Sequence, residues 1–142
     1  MVKRRVGLAS ITFLTAFAAQ ADTVTTKDSR SWNGQATIDN GIVTLKASFP
    51  KNNQPLLRFA ADNVRALELN GTQFNPGAPP SLPPPKPGNL SGTIYLKGGA
   101  EKQVTCDNIR LDQANLTCTG AEKGKSKPGT WNHDDVIRII FK

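Results

Sequence analysis

The chain has 142 residues, 18 Lys and Arg against 11 Asp and Glu, and a formal charge of +7. With 37% apolar residues and its charges spread rather than blocked, it can build one modest core or two very small ones, which excludes a large enzyme core and wholesale disorder. The positive excess points first to an anionic partner, but part of it belongs to a segment expected to be removed.

Residues 1–21 have the three-part layout of a secretory signal peptide. Lys3, Arg4 and Arg5 open it, an apolar run from Val6 to Ala19 follows, and Ala19-Gln20-Ala21 closes it in an A-x-A pattern. The run is broken by Ser10, Thr12 and Thr15 and is short of the ~20 residues a spanning helix needs. Cleavage is therefore expected between Ala21 and Asp22, with no transmembrane segment afterwards and a secreted or periplasmic destination. The mature chain loses three of its 18 positive residues and none of its 11 negative ones, so its net charge falls to +4.

The first module, residues 22–74, reads as short strands. Val24 and Thr26 start it, and Trp32 to Ile38 alternates. Asn40-Gly41 is a strong two-residue hairpin signal, and Ile42 to Phe49 is rich in β-branched and apolar residues. Leu56 to Phe59 is a further strand. Ala60 to Asn63 reads as a single helical turn before a last strand, Val64 to Leu69.

Residues 75–91 are a proline-rich linker, with seven of the ten prolines between 76 and 87. Such a segment cannot hold a backbone ladder and is expected to run as an extended polyproline spacer. The second module, residues 92–142, carries Cys106 and Cys118 in β-like stretches with turn residues Asp112 to Asn115 between them. Facing each other across a hairpin in an oxidising compartment, they are expected to form a disulfide. The module ends in the Ile-rich strand Val136 to Phe141.

The two modules look alike. Thr23–Asp28 matches Thr93–Gly98 at an offset of 70, Ile38–Leu45 matches Leu111–Cys118 at 73, and Asp62–Leu69 matches Asp134–Phe141 at 72. Blocks in constant order point to internal duplication. Five-stranded units of this size, with a central hairpin and a turn before the last strand, resemble the SH3-like and Sm-like small barrels of secreted bacterial proteins. That resemblance implies an all-β chain of two SH3-like β-barrel modules in tandem. The alternative is a single β-sandwich formed by both halves.

Catalytic signals are sparse. The one histidine, His133, precedes Asp134 and Asp135, and it reads as part of an exposed turn. No nucleophile elbow or phosphate-cradling loop occurs, and one histidine cannot supply a multi-His metal site. No catalytic residue, cofactor or metal is expected. Lys123, Lys125 and Lys127 form a basic loop able to touch an anionic polymer, although scarce aromatics argue against nucleic acid. Trp32, Arg58 and Trp131 complete the candidate contact residues. Asn70, Asn89 and Asn115 begin Asn-x-Ser/Thr sequences, which matter only in a glycosylating host.

The expected function is non-catalytic binding, as an adaptor for a protein or an envelope polymer, with a homo-oligomer also open. Two rivals are a structural envelope or fibre subunit assembling through strand edges, and a small hydrolase using His133 and Asp residues.

Overall fold

The computed structural model describes residues 20–49, 54–74, 85–98, 102–122 and 125–142. The leader through residue 19, the proline-rich stretch 75–84 and Lys123 lie outside the described residues. The described chain is all-β, with ten strands in one antiparallel sheet. Among the described residues, no helix is long and apolar enough to cross a membrane.

The first half supplies β1 (Gln20–Thr26), β2 (Ser31–Asp39), β3 (Ile42–Ala47), β4 (Leu56–Ala60) and β5 (Val64–Thr72). The second supplies β6 (Gly92–Leu96), β7 (Lys102–Leu111), β8 (Asn115–Glu122), β9 (Lys125–Asn132) and β10 (Val136–Phe141). A 3-10 turn precedes each last strand, Ala61–Asn63 before β5 and His133–Asp135 before β10. Alternation drives the strands, as period-2 patterning requires. In β3, Val43, Leu45 and Ala47 are buried while Lys46 is exposed, and in β4 Leu57 and Phe59 are buried between exposed Leu56 and Arg58.

The β2–β3 hairpin turns on Asn40 and Gly41, with φ of 51° and 77°, and Asp39 lies opposite Ile42. Positive φ at both central residues suits the right-handed twist of the flanking strands, so Asn-Gly folds here as its chemistry predicts. The matching β7–β8 turn uses a different device. The Asp112 carboxylate accepts the N–H groups of Ala114 at 2.8 Å and Asn115 at 2.7 Å, an Asx turn.

The strand order is β4-β3-β2-β1-β5-β10-β6-β7-β8-β9. Each half therefore follows the same connectivity, and the halves join edge to edge through their last strands. Leu67 stands opposite Ile139, flanked by Glu68 opposite Arg138 and Ala66 opposite Ile140. A second link places Ile38 of β2 opposite Leu111 of β7. Instead of two separate closed barrels held apart by a spacer, the halves share one sheet and one core. Val24, Leu45, Phe59 and Leu67 belong to the same buried cluster as Ile94, Leu116, Val136 and Ile139. Units of ~50 residues bury too little surface alone, which gives the joining its physical reason.

The end of the proline segment is fixed to both halves. The N–H of Gly88 donates to the Asn40 carbonyl at 2.7 Å, and Leu90 is buried with its carbonyl accepting the Ile109 N–H at 3.0 Å. Cys106 and Cys118 are disulfide-bonded, as expected, with Cα atoms 5.7 Å apart. They are diagonal rather than directly opposed: Cys106 faces Gly120, and Cys118 lies beside the β7 register shift between Asp107 and Arg110.

Candidate functional site

The described candidate contact residues lie on three different strands, β2, β4 and β9. Trp32 is 3% exposed and sits in the core with its ring 5.8 Å from Phe59. Its outer face is covered by the Arg30 guanidinium, 5.3 Å from the ring centroid. Arg58 is exposed on β4, whereas Trp131 on β9 is half-buried and packs against the core. Lys125 and Lys127 lie on β9, opposite Glu122 and Gly120 of β8. They are strand residues rather than part of a free loop.

A different set of residues meets where the halves join. A cleft of about 220 Å³ is walled by Ala21, Asp22, Gly34, Gln35 and Ala36 from β1 and β2, and by Asn70 of β5. The second half adds Gln113, His133 and Asp134. Gln113 Nε2 donates to Gln35 Oε1 at 3.4 Å, an amide contact between the halves.

Asp22 forms the floor. It lies in phase with Val24 and Thr26, and all three are buried, because alternate residues of a strand share a face. A register shift between Ala21 and Thr23 loosens the β1–β5 ladder, and the carboxylate fills the gap. Its Oδ1 accepts the Asn70 N–H at 3.2 Å and its Oδ2 accepts the Ala36 N–H at 3.0 Å. Burial pushes the Asp22 carboxyl above the usual range, against the opposing pulls of those two N–H donors and of His133.

His133 opens the second 3-10 turn, and its N–H donates to the Ala114 carbonyl at 2.9 Å. The turn was expected. The expected exposure of His133 is not found: its side chain is only 12% exposed, because the first half covers it. Its Nε2 is 3.9 Å from Asp22 Oδ2, beyond hydrogen-bond length but within Coulombic reach. Its Nδ1 lies 3.6 Å from Asp134 Oδ1, which also accepts from Asn70 Nδ2 at 3.5 Å.

A buried polar shelf lies behind the cleft. Asn33, fully buried, donates through Nδ2 to Thr23 Oγ1 at 2.7 Å and accepts the Phe74 N–H at 2.6 Å. The first bond holds the start of β1 against β2 next to Asp22, and the second ties the segment after β5 to β2.

Sequence reasoning missed Asp22, which stood only as the residue after the expected cleavage point. The available signal was its in-phase spacing with Val24 and Thr26, a charge on the inward face of a strand. Among the described residues, no cluster of three His, Cys, Asp or Glu side chains is arranged to hold a metal ion. Among the described residues, no hydroxyl or thiol lines the cleft. The chain matches no protein-family model, and searches of curated proteins and of solved structures likewise find no match.

Proposed function

We propose that this is a secreted or periplasmic, non-catalytic binding protein whose ligand seats in the cleft between the halves. Each half is read as an SH3-like unit, with its meander and its 3-10 turn before the last strand, arising by duplication and sharing a sheet rather than closing alone. The observation that supports binding is the lining. It offers exposed amides of Gln35 and Gln113 and the carboxylate of Asp134 around a buried acid, with no serine, threonine or cysteine among the described lining residues. Those groups suit a polar ligand carrying hydroxyls or amides, such as an envelope glycan or a peptide segment.

The hydrolase reading draws on one contact, Asp22 beside His133. It would require water or a carboxylate as the nucleophile, since the described walls hold no serine, threonine or cysteine. The Asp22 oxygens are also already engaged by two backbone N–H groups, which favours a structural carboxylate over a general base.

The test is an amide-resolved NMR titration of the secreted protein with neutral oligosaccharides and short peptides as separate probes. Shifts at Gln35, Ala36, Asn70 and Gln113 that disappear in the Gln35→Ala/Gln113→Ala variant are expected. Shifts confined to β4 or β9 would reject the cleft and favour strand-edge assembly.

A further inference from the structure

We propose that proteolysis between Ala21 and Asp22 is also a site-building step, because it places the new N-terminal amino group of Asp22 in the wall of the cleft. Two independent observations meet at this bond. The leader pattern, with its charged start, apolar run and Ala19-Gln20-Ala21, sets the scissile position. The fold puts both residues flanking that bond on the cleft wall.

The step is a hydrolysis by an endopeptidase that removes leaders. Water adds across the Ala21–Asp22 peptide bond, hydroxyl to the Ala21 carbonyl carbon and hydrogen to the Asp22 nitrogen. The leader departs as a carboxylate and the mature chain begins with an ammonium. In the uncut chain, Gln20 and Ala21 extend β1 along β5, opposite Thr72 and Gly71, and Ala21 is buried. Their removal takes away Ala21, one of the residues lining the cleft, and frees the Asp22 nitrogen.

The position of that nitrogen does not depend on the departing residues. Asp22 is held from its side chain by the Ala36 and Asn70 N–H groups. The next residues remain paired, Thr23 with Asn33 and Val24 with Trp32, and Asn33 adds its side-chain bond to Thr23. An N-terminus is ordinarily frayed unless tied down, and this one is tied at its first residue.

The charges around it favour an ammonium. Asp22 and Asp134 line the cleft with His133 between them. Asp112 lies beyond His133, near enough to feel its charge, and Glu68 stands opposite Thr23 with Arg138 opposite Glu68. Carboxylates therefore outnumber cations in this neighbourhood, and a positive group placed there is stabilised. The mature cleft acquires a three-donor cation that suits an oxygen acceptor on a ligand, a group the uncut chain lacks.

The experiment starts from the full chain, exported and recovered as the secreted product. Intact mass is expected to place its N-terminus at Asp22. Its amines are then dimethylated with 13C-formaldehyde, and the α-amine is titrated by NMR in the native state and in urea. A free α-amino group titrates at ~7.7–8.0, and the native midpoint is expected about one unit or more above the midpoint in urea, as a nearby opposite charge produces. The comparison with urea cancels the effect of the residue's own carboxylate. Equal midpoints in the two states, or a mature mass starting at another residue, would overturn the proposal.

Discussion

Replacing Asp22 with alanine tests whether the cleft floor is a structural keystone. The substitution removes the acceptor for two backbone N–H groups, at 3.0 Å from Ala36 and 3.2 Å from Asn70. A buried donor left without a partner costs about 1–3 kcal/mol. Ala36 is buried and bears that cost in full, whereas half-buried Asn70 can recover part of it from water. The expected loss is therefore roughly 2–4 kcal/mol, read as a fall in the urea midpoint at unchanged slope. A loss below about 1 kcal/mol would refute the account of the β1–β5 irregularity.

The asparagine variant separates charge from hydrogen bonding. Burial raises the folded-state value of Asp22 above its ordinary 3.8. The folded state therefore holds the proton more tightly than the unfolded state. The associated stabilisation is complete below 3.8 and is lost as pH rises through the folded value. Relative to Asp22→Asn, the unsubstituted protein should gain stability as pH falls across that window. A flat or reversed difference in parallel urea titrations would refute it.

Replacing Cys106 and Cys118 together with alanine should cost about 3 kcal/mol by loop-closure entropy, measured as a difference in urea midpoint that reductant does not enlarge. Gly41→Ala should cost roughly 2 kcal/mol, because it forces a left-handed φ on alanine and drives Cβ into the Gly88 backbone; thermal unfolding checks it. Leu67→Ala should cost about 2–5 kcal/mol and should couple to Ile139→Ala in a double-mutant cycle, since the two face each other, fully buried, at the junction. Asp112→Ala should destabilise the protein at neutral pH. The carboxyl is held below its ordinary 3.8 by the Asn115 and Ala114 N–H groups. Its contribution is present above 3.8 and disappears as pH falls through the lowered folded value.

Local chemistry was legible where it acts over a few residues. Asn40-Gly41 carried its own turn instruction, the Val43/Leu45/Ala47 alternation its own face, and Ala60–Asn63 the short turn before β5. The pairing of β5 with β10 was not legible, because any antiparallel strand edge accepts another and nothing local selects the partner. His133 illustrates the same limit. A histidine between polar residues reads as exposed, and it is β1, more than 100 residues earlier in the chain, that places Asp22 against it. Trp32 failed in the opposite sense, since an aromatic ring suits a ligand surface and a core equally well.

The junction at Leu67 and Ile139 has the geometry of a two-fold dimer interface, but within one chain. A true homodimer would have to repeat every contact, and so would present two equal clefts. Covalent linkage releases that constraint. Here one flank of the junction sets Glu68 against Arg138 and the other sets Ala66 against Ile140. At the sequence offsets of the matching blocks, the counterparts of Asp22 and His133 are Gly92 and Ala61, which carry no ionisable group. The pseudo-two-fold is therefore broken at this cleft, whose Asp22 and His133 have no ionisable counterparts at the matching positions. The second half, stapled by Cys106–Cys118, lends Gln113, His133 and Asp134 to this cleft, and the first half supplies its floor at Asp22.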